Sequence, residues 1–267
     1  MQRTASTLAQ RIIGVSMNET SNTLLAKDHL LKYTDKPVRI TTLQEIAKEC
    51  GISGIEAYLG ATKECDDHIM VALNANEPES HESTFVHELL HIMLDYEKFP
   101  NVVINEQFAI NNLSPQLSSH LSKLQGYISS AIDHPEIYLR MKENYALDME
   151  KYFNNLLNQK KNRFAKKMNF KSKEEEVFSN QQDILDGLEY FYYGDAQREE
   201  LLKIFRDVSV SAYNSCLGLH RAISRIGMHD PISCRKAAEK IKMHLVKYGD
   251  KRNLGFLNNM WHALDIV

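Results

Sequence analysis

The chain has 267 residues, 43% of them apolar and 25% charged, enough to bury the core of one large domain or two small ones. Its 32 basic and 35 acidic side chains nearly cancel, which excludes a global field as the means of attracting nucleic acid or an anionic membrane surface. The cysteines Cys50, Cys65, Cys216 and Cys234 stand singly, so neither a zinc knuckle nor a C-x-x-C redox pair is expected. Reduced thiols, and no apolar run of signal-peptide or membrane-spanning length, make a soluble cytoplasmic protein the default expectation.

Residues 1–40 are weakly periodic, and Pro37 marks a break. In "VRITTLQEIAKECG" Thr41 or Thr42 can cap a short helix with Leu43, Ile46 and Ala47 on one face and Gly51 at its end. "GIEAYLG" and "HIMVALN" follow as strands, separated by the charged, turn-like "ATKECDD". No other β signal is evident. After "NANEPE" the pattern turns helical, with Glu77, Glu79 and Glu82 near the N-terminus, where the dipole favours negative charge. That helix should end near "EKFPN", since Pro100 cannot continue it.

Between 114 and 158 two or more helices are expected, "SPQLSSHLSKLQGYISSAID" and "PEIYLRMKENYALDMEKYFNNLL", with Pro135 between them. The basic run "KKNRFAKKMNFKSKEEE" reads as a solvated face or linker; only Phe164 and Phe170 are interleaved with it, which argues against a nucleic-acid partner. Residues 181–267 read as helices broken at "YYGD", "GMHDP" and "YGDKRN". The expected fold is α+β and mostly helical, with one domain over 1–158 and a helical C-terminal subdomain over 159–267.

The chemistry is concentrated in "STFVHELLHIML", residues 83–94. On a helix, positions i and i+4 lie one above the other, so His87 and His91 can offer two imidazole nitrogens to one ion. Glu88 sits beside them without replacing either ligand, where a general base for a metal-activated water belongs. A chain of this composition contains H-E-x-x-H by chance about 0.035 times, so context matters. The flanking residues Phe85, Val86, Leu89, Leu90, Ile92, Met93 and Leu94 describe a helix buried on most sides. Two histidines and a glutamate there are costly without partners, and a metal satisfies all three.

"HELLH", preceded by the strand-like "HIMVALN" and an acidic turn, resembles the zincin metallopeptidases over roughly residues 50–150. The resemblance implies a small β-sheet beside the active-site helix, with a strand that aligns extended substrate through main-chain hydrogen bonds. It also implies zinc held by His87 and His91, with Glu88 as catalytic base. After His91 comes "IMLDYEKFP", without the Gly and third His that metzincins place at short spacing, so a gluzincin-like arrangement with the third ligand on a later helix fits better.

A catalytic zinc takes three protein ligands and keeps one open position. The tightest downstream group is Asp133, His134 and Glu136 in "SSAIDHPEIYLRMKE", at the expected helix junction. His134 is the first choice, because the residue before a proline is pushed out of helical geometry and its side chain is freed. Asp133 and Glu136 are the alternatives, with Glu106 weaker, and a capping role for Asp133 or His134 competes with ligation. Asp95 could orient His91, and Tyr138 or Tyr145 could donate to an oxyanion. The function expected is a zinc-dependent hydrolase cleaving a peptide or protein substrate; the alternative is a non-catalytic zincin-like binding or regulatory module acting through its helical half.

Overall fold

A computed structural model describes residues 19–50, 58–165, 170, 172–252, 254 and 258–267. The chain divides into two compact units, residues 1–89 and 90–267, and the division falls inside one helix.

The first unit opens with helix α1 (Ser21–Leu30), started by a Thr20–Thr23 capping box. Strand β1 (Val38–Thr42) leads into helix α2 (Leu43–Cys50), where Glu45 reaches back to the amide of Thr42 at 3.1 Å and caps the helix from inside. Strands β2 (Gly60–Glu64) and β3 (Ile69–Leu73) complete a sheet in the order β1-β3-β2, with β1 parallel and β2 antiparallel to β3. Every residue of β3 is buried, as befits the central strand, and α2 packs Leu43 and Ile46 against Met70 and Ala72. One 3₁₀ turn, Pro78–Ser80, introduces helix α3 (His81–Tyr96). Glu82 in its first turn accepts from Thr20 at 2.6 Å and Asn22 at 3.1 Å, which ties α3 to the start of α1.

The sheet differs from expectation in two ways. β1 was not anticipated, and β2 occupies the stretch that reads as a turn. Its partly exposed "GATKE" belongs to an edge strand, whose outer side need not be apolar. Of the expected strand "GIEAYLG", residues 54–57 lie outside the described residues, and Tyr58 and Leu59 form a bend.

The second unit holds the rest of α3, which ends before Pro100 with Lys98 at φ 67°. Strand β4 (Val102–Ile104) pairs antiparallel with β5 (Leu264–Ile266). Between them run α4 (Glu106–Asn112), α5 (Pro115–Tyr145), α6 (Met149–Ala165), α7 (Lys173–Tyr190), α8 (Asp195–Val208), α9 (Val210–Ile223), α10 (Pro231–Asp250) and α11 (Asn258–Trp261). α7 is the axis of the bundle and packs against α5, α8, α9 and α10. The boundary expected after residue 158 falls inside α6.

Pro135 does not divide two helices: α5 runs unbroken through it for 31 residues and stops at Ala146, in the left-handed region at φ 48°. Proline inside a helix removes one backbone bond and costs about 3 kcal/mol. Burial of Ala131, Ile132, Pro135 and Ile137 along this turn offsets that cost. The other expected breaks fall between α7 and α8, between α9 and α10, and at the end of α10.

Candidate metal centre

α3 is apolar on most sides: Phe85, Val86, Leu89, Leu90, Ile92, Met93 and Leu94 are all buried. His87 and Glu88 are 6% and 8% exposed, and His91 is partly buried one turn on. The structure brings His87, His91 and His134 together, with one ligand atom from each lying within 4.8 Å of the others. Nitrogens around a tetrahedral zinc lie about 3.3 Å apart, so closure needs shifts of roughly 1.5 Å, within reach of imidazole rotation. An all-imidazole set suits zinc and other late divalent transition metals.

His134 joins this group from inside α5, not from a helix end, so the pre-proline argument that selects it does not describe its geometry. Burial of the helix face that carries it does. The rings of His91 and His134 lie 5.4 Å apart at 57°. Each has a carboxylate near its Nδ1: Asp133 Oδ2 at 3.4 Å from His91 and Glu189 Oε2 at 3.3 Å from His134. Asp95, the orienter expected for His91, is exposed.

The other candidates are engaged elsewhere. Glu136 accepts from Arg140 Nε at 2.7 Å and meets His229 Nδ1 at 2.9 Å. Arg140 also donates to both carboxylate oxygens of Glu97, at 2.8 and 2.6 Å, and lies over the Phe99 ring. Burial alone would disfavour the charge on Arg140, but these hydrogen bonds outweigh it and hold the guanidinium firmly protonated. Glu136 therefore belongs to a partly buried ion-pair network, and neither it nor Asp133 is among the clustered histidine donors. Glu106 begins α4 and lines an open groove of about 550 Å³ with Ile104, Ile110 and Gln125.

Tyr138, expected as an oxyanion donor, places its hydroxyl 3.2 Å from His134 Nδ1. Its ring is buried against Phe153, Tyr193 and Tyr152. Burial first, then the nearby Tyr193, Tyr152 and Glu189, pushes its pKa well above the usual phenol value, so the hydroxyl stays neutral. Tyr145 is buried as well.

Glu88 has a second neighbour that the sequence did not advertise. A Cβ placed on Gly60, at the start of β2, would lie 2.4 Å from Thr84 Cγ2 and 3.0 Å from Glu88 Oε1. The edge strand thus begins directly against the glutamate of the motif, and only glycine permits that approach. No protein-family model, curated protein or solved structure matches this chain.

Proposed function

We propose that the protein is a zinc-dependent hydrolase acting on peptide bonds. The observation that carries this reading is the convergence of His87, His91 and His134, from two helices, beside the buried carboxylate of Glu88. His87, His91 and His134 would hold the zinc ion, which would supply Lewis-acid polarisation of a carbonyl and lower the pKa of water. Glu88 takes the proton that the attacking water gives up, and passes it to the amine nitrogen as the C–N bond breaks. Its buried setting keeps it aimed, because Gly60 packs against it.

The zincin resemblance supplies the substrate class, and β2 offers matching geometry. Among the described residues β2 pairs only with β3, so its outer edge can hydrogen-bond an extended peptide. Such a peptide would run past Gly60 and hence past Glu88. No described helix is long and apolar enough to cross a membrane.

Elemental analysis of the purified protein should find about one equivalent of zinc, absent from the His87→Ala/His91→Ala double variant. Glu88→Gln should retain the zinc and cleave a mixed peptide library about 10² to 10⁴ times more slowly, because an amide cannot accept the proton. Equal cleavage by Glu88→Gln removes Glu88 as the base. A zinc-replete wild type that cleaves nothing supports the binding-module alternative.

A further inference from the structure

The third histidine is held by a helix that shows no motif. Glu189, near the C-terminal end of α7, is 4% exposed although its neighbours Leu188 and Tyr190 are wholly buried. A carboxylate so placed needs a partner that is charged or donates a hydrogen bond. Its Oε2 lies 3.3 Å from Nδ1 of His134. That same nitrogen lies 3.2 Å from the Tyr138 hydroxyl.

Nδ1 carries either a proton or a lone pair, and of the two neighbours only the carboxylate dictates which. Tyr138 can donate to a bare Nδ1, whereas a carboxylate can only accept from Nδ1–H. An ionised Glu189 that accepts from Nδ1–H makes the stronger, charge-assisted contact of the two. It therefore selects the Nδ1–H tautomer, which leaves the lone pair on Nε2 as the ligand atom that His134 can offer. Without Glu189 the Tyr138 hydroxyl can donate to Nδ1, which places the proton on Nε2 and blocks ligation.

We propose that Glu189 is a positioning residue of the metal centre, fixing the tautomer and aim of His134 so that Nε2 is presented to the ion. The proposal rests on the zinc-site reading given above, though not on peptide cleavage. It makes α7, the axis of the helical bundle, a structural part of the metal centre: metal retention depends on the packing that holds this helix beside α5. Asp133 stands in the corresponding place for His91, at 3.4 Å, but on the ligand-bearing helix itself.

The test uses zinc titrated against a competing chelator, with no substrate. Loss of such a partner costs 10- to 100-fold in metal affinity, and Glu189→Gln, which keeps the shape and removes the charge, should show a loss in that range. In a His134→Ala background the same substitution should have no further effect, because Glu189 acts through that ring. A merely structural glutamate would weaken binding equally in both backgrounds, and that result overturns the proposal. So does wild-type affinity in Glu189→Gln. Should that variant fold poorly, Glu189→Asp and the visible spectrum of the cobalt-substituted protein decide. A shortened carboxylate should alter the cobalt bands, and an unchanged spectrum with unchanged affinity also overturns the proposal. A wild type that binds no zinc overturns both this inference and the proposed function, whereas zinc binding without hydrolysis overturns only the latter.

Discussion

Helices α3 and α7 are both buried on nearly every side, and both carry polar residues where apolar ones would pack more cheaply. In α3 these are Ser80 at its threshold, then His81, Thr84, His87 and Glu88; in α7 they are Asn180, Gln181, Asp183, Asp186 and Glu189. The α3 set makes a local pattern, because i and i+4 spacing on a single helix already describes a chelate. The α7 set makes none, because its partners come from remote segments. Gln181 donates to the carbonyl of Leu245 at 3.2 Å, Ser209 donates to Asn180 at 3.1 Å, Lys160 pairs with Asp186 at 2.8 Å, and Glu189 meets His134. A buried polar residue announces that a partner exists; only a short-range partner is announced in the sequence as well.

The contrast can be broken by experiment, and the largest expected effect is on the α7 side. His120 of α5 is buried and stacks on Phe178 of α7 at 3.7 Å, and burial pushes its pKa down to about 4. The folded protein therefore keeps it neutral, while the unfolded chain takes up a proton below the ordinary value of 6.5. The stability that this neutral packing allows is complete above that value and is lost as pH falls toward 4, by roughly 3 kcal/mol at 1.36 kcal/mol per unit. Urea unfolding at pH 7 and pH 4 should show this loss in wild type and a much smaller one in His120→Gln. Parallel acid slopes for the two proteins would place the sensitivity elsewhere.

A smaller effect belongs to α3. In Gly60→Ala the added methyl collides with Thr84 and presses on Glu88, so stability should fall by about 2 kcal/mol. Hydrolysis should fall with it and zinc content should not, because the displaced group is the proposed base and not a proposed ligand. An active, fully stable Gly60→Ala protein would show that β2 and α3 separate easily at this point.

The smallest effect tests whether any damage to α7 reaches the metal. Ser172 caps this helix by accepting from the Glu175 amide at 3.2 Å, and Ser172→Ala should cost about 1 kcal/mol in thermal or urea unfolding. Zinc affinity should be unchanged, since Glu189 lies at the opposite end of the helix. A parallel loss of zinc would mean that the whole helix, and not one carboxylate, governs the site.

Much of the candidate site was legible because α3 places His87, Glu88 and His91 within five residues, and an apolar surround made those residues costly without partners. β3 was equally plain, since a central strand covered on both faces is a short continuous apolar run. β2 was not, because an edge strand tolerates "GATKE" on a half-exposed surface. Pro135 misled for a different reason: its local preference is to end a helix, and the buried turn of α5 around it overrides that preference. The error bore on His134, which was singled out as a residue freed from a helix but sits within one. Glu189 left no trace, since a single glutamate in "LEYFYYGD" looks like a surface residue until α5 is laid against it.

The pairing of β4 with β5 has a consequence for the order of events in folding. Ile104 and Leu264 face each other in this ribbon although about 160 residues separate them. At a synthesis rate of roughly 5–20 residues per second, β4 leaves the ribosome on the order of ten seconds before its partner exists. Bringing such distant segments together also carries a loop-closure cost that each of helices α4 to α10, forming from its own local hydrogen bonds, avoids. The helical bundle can therefore assemble first and the ribbon close last, acting as a clasp that joins the start of the second unit to its far end once everything between them is in place.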